Sequence, residues 1–170
     1  MPNGYNGKIL HVDLTKGELT VEEPPEAFYR KYLGGSAMGM HYILRDMPKG
    51  ADPLGPENVL TLFAGVTTGA PISGQSRLNA NAKSPLSGGI GDSQSGGFFP
   101  AELKFAGFDG IVIKGRSPKP VYLAIIGGKY ELRDAAHLMG KLTGEVDDII
   151  HKEVDPKAEI LQYGMGAENG

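Results

Sequence analysis

The sequence predicts an α+β domain of mostly antiparallel sheets with short helices. Three observations predict it. Apolar and polar residues alternate in short runs, first at Lys8-Ile9-Leu10-His11-Val12-Asp13-Leu14 and again at Glu18-Leu19-Thr20-Val21-Glu22. Helical spacing of apolar residues appears only in brief stretches, such as Phe99, Leu103 and Ala106. Twenty-six glycines and 12 prolines punctuate the 170 residues, which fits a fold with many tight turns.

The elements follow in order. Thr15-Lys16-Gly17 turns the first two strands into a hairpin, and Pro24-Pro25 ends it. Pro25 suits the start of a short helix through Phe28, Tyr29 and Tyr32. Gly34-Gly35 breaks that helix, and Ser36 is expected to cap a second one from Ala37 to Met47. Pro48 stops it, and Lys49 to Asn58 reads as a loop. Val59 to Ala64 is a buried strand, and Arg77 to Ala82 alternates like another. Ser95-Gly96-Gly97 opens a helix that carries Pro100 in its first turn and ends at Gly107. Strands are expected at Gly110–Lys114, Val121–Ile126 and Lys129–Arg133, the last two joined by Gly127-Gly128. A helix from Thr143 to Val154 and a final strand at Ala158–Gln162 complete the reading.

Composition excludes several classes. Seventeen basic and 20 acidic residues give a net charge of −3, without the basic excess of a nucleic-acid binder. There is no cysteine, so no disulfide or cysteine-ligated cluster can be built from these residues. No apolar run approaches the roughly 20 residues that span a membrane. The first residues lack the pattern of a signal peptide, so a cytoplasmic location is the expectation.

The tract from Gly65 to Gly110 is the informative part. Small residues let main-chain N–H groups approach a ligand, and a glycine-rich helix entrance adds free donors. Arg77 offers a planar fork for a phosphate or a polar heterocycle. Glycines serve tight turns equally well, and no phosphate-loop or dinucleotide fingerprint is present. His11, His41, His137 and His151 have no metal-ligand spacing. His137 is expected in turn hydrogen bonding. Glu22-Glu23, Asp147-Asp148 and Glu102 read as solvated or capping groups, with a Glu102–Arg77 ion pair left open.

An ordered set of short motifs resembles the N-terminal domain of the tungsten-containing aldehyde ferredoxin oxidoreductase family. Its main pieces are Arg77, Lys83-Ser84-Pro85-Leu86-Ser87-Gly88, Ser95-Gly96-Gly97-Phe98 and Ala101 to Asp109. Supporting pieces run from Tyr5-Asn6-Gly7 through Tyr32-Leu33-Gly34-Gly35 and Arg133 to His137 to Gly166-Ala167-Glu168-Asn169. The resemblance implies a β-rich base domain against which two pterin cofactors lie, holding tungsten, or molybdenum in some members. It implies a [4Fe–4S] cluster nearby that passes electrons to ferredoxin, and oxidation of a small aldehyde to a carboxylic acid. One branch instead reduces an aromatic-ring thioester. Two further, largely helical domains supply the cluster cysteines and the acid/base groups.

By the same resemblance, Arg77 is the arginine between pterin and cluster, and Ser95, Gly96 and Gly97 form the cofactor-side loop. Gln94 stands where the family often has asparagine, a position whose main-chain carbonyl helps bind a Mg²⁺ between the cofactor phosphates. A carbonyl ligand does not depend on the side chain, so Gln94 is the metal candidate. Lys83 is open between a structural contact and one near a phosphate. Ser36-Ala37-Met38-Gly39 departs from a more usual Arg-Gly-Leu pattern.

Residues 1–170 are thus expected to be this domain, cut short of its natural end, binding cofactor weakly and inactive alone. Self-association through uncovered sheet edges is expected. The alternatives are a stand-alone pterin-binding or scaffold protein without redox chemistry, and a structural module without a ligand.

Overall fold

The computed structural model describes residues 4–168. Strands β1 (Ile9–Asp13) and β2 (Glu18–Glu22) form the expected hairpin. Helices α1 (Glu26–Tyr32) and α2 (Gly35–Asp46) follow, then strands β3 (Val59–Ala64), β4 (Leu78–Lys83) and β5 (Ile90–Ser95). Helix α3 (Phe99–Phe105) leads into β6 (Gly110–Lys114). Strands β7 (Val121–Ile126) and β8 (Lys129–Asp134) make a second hairpin. A 3₁₀ turn at Ala136–Leu138, helix α4 (Thr143–Glu153) and a short helix α5 (Met165–Glu168) complete the described chain.

The main sheet has six strands in the order β2-β1-β6-β3-β4-β5, and β7-β8 form a separate two-stranded sheet. All neighbours are antiparallel except β1 and β6, which run parallel. That pair does not come from a hairpin: β6 returns between β1 and β3 after the intervening strands, a placement no local pattern encodes.

Alternation divides the sheet into two faces. Ile9, Val59, Phe63 and Val112 meet Tyr29, Met38, Tyr42 and Ile43 from α1 and α2 on the first face. Leu10, Val12, Leu62, Leu78 and Ile111 meet Leu103 of α3 and Phe108 on the second, where the β7-β8 hairpin adds Leu123, Ile125, Tyr130 and Leu132. Ala135, Leu138 and Ile150 of α4 form a smaller cluster on the far side of that hairpin.

Two local expectations are corrected, and one strand is added. Ala158–Gln162 is not a strand: Ile160 packs against the α4 cluster, but no neighbouring strand among the described residues supplies the ladder that alternation alone cannot. Ser36 does not cap α2. The helix starts two residues earlier, at Gly35 with Gly34 as its N-cap, and the Ser36 hydroxyl turns to the sheet instead. Strand β5 is an addition the residue pattern does not assign, because Ile90-Gly91-Asp92-Ser93-Gln94-Ser95 has one apolar side chain and is exposed along nearly its whole length. Asn169 and Gly170, which close the motif series, lie outside the described residues.

Candidate functional site

Strand β5 is the outer edge of the main sheet, and the candidate residues gather at its C-terminal end. Arg77 immediately precedes β4, and Leu78 pairs with Ser95 of β5. The Arg77 main chain is fastened on both sides. Its N–H donates to Thr68 Oγ1 at 3.2 Å, and its carbonyl accepts from Gly65 N–H at 2.9 Å and from Thr68 Oγ1 at 3.2 Å. Thr68 is buried, so the backbone of Arg77 is rigid while its side chain is exposed. Among the described residues the guanidinium has no ion pair and no hydrogen bond, so Glu102 is not its partner.

Gly96 lies beneath that guanidinium. A Cβ on Gly96 would sit 4.0 Å from Arg77 Nη1 and 3.7 Å from the Ser76 carbonyl. Gly97 takes φ +84, a left-handed conformation that favours glycine, and its carbonyl accepts from Ser76 Oγ at 2.8 Å. The structure therefore brings together Arg77, Ser95, Gly96 and Gly97. Helix α3 begins just beyond, from Phe98, without a side-chain cap. It has only seven residues, and its start offers free N–H groups.

The register locates the main-chain groups of Gln94. Ser84 N–H donates to the Gly89 carbonyl at 2.8 Å, which makes this opposed pair a hydrogen-bonded one. Bonded and non-bonded pairs alternate along an antiparallel ladder. Ala82–Gly91, Ala80–Ser93 and Leu78–Ser95 are then bonded pairs, and Asn81–Asp92 and Asn79–Gln94 are not. The β3 side agrees, because the Gly65–Arg77 bond turns the main chain of Asn79 toward Phe63. The N–H and C=O of Gln94, and those of Asp92, consequently point away from β4 toward the open edge.

On the second face, beyond the cover of α3 and the β7-β8 hairpin, Leu60, Ala80, Ala82, Gly91 and Ser93 floor a shallow depression of about 320 Å³ walled by Pro85. That volume is at the lower end of small-ligand sites. Small side chains make its floor flat. Lys83 is resolved as a structural contact, its ammonium donating to the Ala51 carbonyl and its N–H to Asn58 Oδ1.

Sequence reasoning missed two supports of this region. Asp109 accepts from Asn6 N–H, Gly7 N–H and Lys104 Nζ at 2.6–3.1 Å, a buried hub fastening the start of the chain to the end of α3. Lys104 and Asp109 both lie within the quoted Ala101 to Asp109 run, but nothing in their local spacing marks the two charges as a buried pair. The second is a polar link from Ser36 through Asn79 to Asp92, which depends on the pairing of β5 with β4. His137 Nε2 lies 3.1 Å from Glu153 Oε2, a contact to α4 rather than within its own turn. Among the described residues no cluster of three or more His, Cys, Asp or Glu could hold a metal ion, and no helix is long and apolar enough to cross a membrane.

The fold and this edge define a class of domain, a mixed-sheet base that presents main chain and an exposed arginine on an open rim. Comparison with known proteins makes the class specific. Residues 9–170 match the family model described as aldehyde ferredoxin oxidoreductase, N-terminal domain. The chain is 44% identical over 167 residues to the tungsten-containing aldehyde ferredoxin oxidoreductase of Thermococcus kodakarensis, covering 98% of this chain and 28% of that protein. It is 34% identical over 181 residues to the aliphatic sulfonate oxidoreductase, WOR-like subunit, of Pyrococcus furiosus, covering 97% and 29%. A solved structure, the active-site complex BamBC of benzoyl-coenzyme A reductase with 1,5-dienoyl-CoA, superposes with a TM-score of 0.88 at 38% identity, over 92% of this chain and 24% of that one. The chain belongs to the aldehyde ferredoxin oxidoreductase family and corresponds to its N-terminal domain. It spans little more than a quarter of the length of the curated relatives it matches.

Proposed function

We propose that this domain is the base on which a tungsten bis-pterin cofactor lies, within a longer oxidoreductase that converts aldehydes to carboxylic acids with ferredoxin as electron acceptor. The observation that carries the reading is the edge at Gln94: an outward main-chain carbonyl two residues before Gly96, a glycine that opens the space beneath a guanidinium with no partner among the described residues.

These groups fit the cofactor's chemistry. A carbonyl oxygen suits Mg²⁺, which prefers hard oxygen ligands and shares them with phosphates. The Arg77 fork suits a phosphate or a pterin edge, and its charge would favour the reduced form of a nearby cluster. Gly96 and Gly97 let the main chain approach a flat ring system. When bound, the metal–dithiolene centre supplies the two-electron redox chemistry, while these residues bind and orient the cofactor. With no cysteine among the 170 residues, thiolate ligands for a [4Fe–4S] cluster would come from other domains of the longer protein, as would the acid/base groups acting on the aldehyde. The 170 residues are accordingly inactive by themselves. In isolation they self-associate through the open edge, which light scattering at increasing concentration would check, and the complete enzyme acts in the cytoplasm.

The test is titration of the chain with a pterin monophosphate in the presence of Mg²⁺, followed by tyrosine fluorescence. Weak saturable binding is expected, falling at least tenfold in Arg77→Ala with an unchanged circular dichroism spectrum. Equal binding by the two proteins would count against the assignment.

A further inference from the structure

Helix α2 begins without help from its own sequence. Gly34 at its N-cap supplies no side chain, and its first turn carries no acidic residue. The missing carboxylate comes from the sheet. Ser36 Oγ donates to Asp92 Oδ2 at 2.7 Å, and Asn79 Nδ2 donates to Ser36 Oγ at 2.9 Å and to Asp92 Oδ1 at 3.4 Å. Gly35 makes this approach work, since a Cβ there would sit 2.5 Å from Asn79 Oδ1. Three elements thus meet in one polar link: the first turn of α2, strand β4 and edge strand β5.

The link matters because β5 has little else to hold it. Among the described residues it has a neighbour on one side only, and five of its six residues are exposed. Its main-chain bonds to β4 come from Gly91, Ser93 and Ser95, alternating with the outward-facing Ile90, Asp92 and Gln94. Asp92 and Gln94 share a face and stand two residues apart, roughly 6.7 Å along the strand.

We propose that Asp92 is a positioning residue for the Gln94 edge: through Ser36 and Asn79 it ties β5 to the start of α2 and so fixes where the outward Gln94 carbonyl sits. The tether works through hydrogen bonds more than through charge, because the Asp92 carboxylate is exposed and its field on a cation beyond the edge is screened. The inference rests on the cation role proposed for that carbonyl.

The experiment compares the wild-type chain with Asp92→Asn, which keeps an oxygen to accept from Ser36, and Asp92→Ala, which keeps none. Two quantities are read by NMR: amide exchange at Ser93 and Ser95, and paramagnetic broadening by manganese pyrophosphate, a divalent ion held by phosphates. In Asp92→Ala, exchange at Ser93 and Ser95 is expected to accelerate at least tenfold. Broadening centred on Gln94 should need at least fivefold more probe. In Asp92→Asn both quantities should stay within about twofold of wild type. If Asp92→Asn behaves like Asp92→Ala, or if Asp92→Ala exchanges like wild type, the tether is overturned. If wild type shows no broadening near Gln94, the cation reading fails, and the exchange rates still decide whether Asp92 holds the edge.

Discussion

Asp109→Ala should be among the most damaging single changes in this domain. Asp109 and Lys104 have side chains only 3% and 8% exposed and stand 2.6 Å apart. Removing the carboxylate leaves the Lys104 ammonium buried, with the Gly4 carbonyl at 2.7 Å and the Tyr5 ring centroid at 5.7 Å as its remaining company. It also strands the N–H groups of Asn6 and Gly7, at 3.0 and 2.7 Å from Asp109 oxygens. Breaking a buried pair from one side costs about 3–5 kcal/mol, because an uncompensated charge stays behind. That is a large part of the roughly 5–15 kcal/mol that stabilises a typical domain. For a chain of this length it corresponds to a fall in Tm of about 8–16 °C. Urea unfolding followed by circular dichroism would measure it, with tyrosine fluorescence as the second probe since the chain has no tryptophan. The double variant Lys104→Met/Asp109→Ala should recover part of the loss by removing the stranded charge. The reasoning is refuted if Asp109→Ala costs less than about 1 kcal/mol, or if the double variant is no more stable than the single one.

Other outcomes follow from the same packing. Gly110→Ala should cost about 1–3 kcal/mol, because its Cβ would stand 2.8 Å from the Leu62 carbonyl and against the Phe63 ring; a urea midpoint within error of wild type would contradict this. Gly39→Ala should be destabilising to a similar degree, since its Cβ would meet Asn81 Oδ1 and Thr61 Oγ1 at 2.6 Å, and Asn81→Ala in the same chain should restore part of the loss in thermal melts. Arg77→Ala should leave stability within about 0.5 kcal/mol of wild type, because the side chain is exposed, so a large drop in Tm would mean that the arginine is structural. Burial pushes the His11 imidazole below the usual histidine value, outweighing the opposing pull of Glu22, whose Oε2 lies 2.8 Å away; Arg45 adds to the lowering and Asp46 opposes it. The unfolded chain therefore binds the His11 proton at higher pH than the folded one, and stability falls as pH drops from about 6.5 toward the folded value. His41 is lowered in the same direction by burial and Arg45. Urea midpoints should decline between pH 7 and 5, with a shallower slope in His11→Gln; an unchanged slope would remove His11 from the account.

Much of the fold could be read from local pattern. The hairpin at β1 and β2 and helix α3 carry the spacing of their period, strand β3 is an apolar run of strand length, and Gly127-Gly128 marks the β7-β8 turn. The element that failed to read was β5, where pairing with β4 orders a polar segment that buries little of its own surface. Ala158–Gln162 failed in the opposite way: it has the alternation of a strand but no strand beside it among the described residues.

The candidate site divides along the same line. Arg77, Gln94 and Ser95-Gly96-Gly97 could be picked out by residue type and order, because a fork for anions and Cβ-free loops are properties of the residues themselves. The family was legible for the same reason. Which way the Gln94 carbonyl points is a matter of ladder register, and register depends on two strands at once. That Arg77 lacks a partner among the described residues, that Asp92 reaches the start of α2, and that Lys104 is buried against Asp109 are facts about separations between distant parts of the chain. Chemistry was legible in the residues because it belongs to each side chain, whereas direction, burial and pairing were settled only when the sheet placed those side chains together.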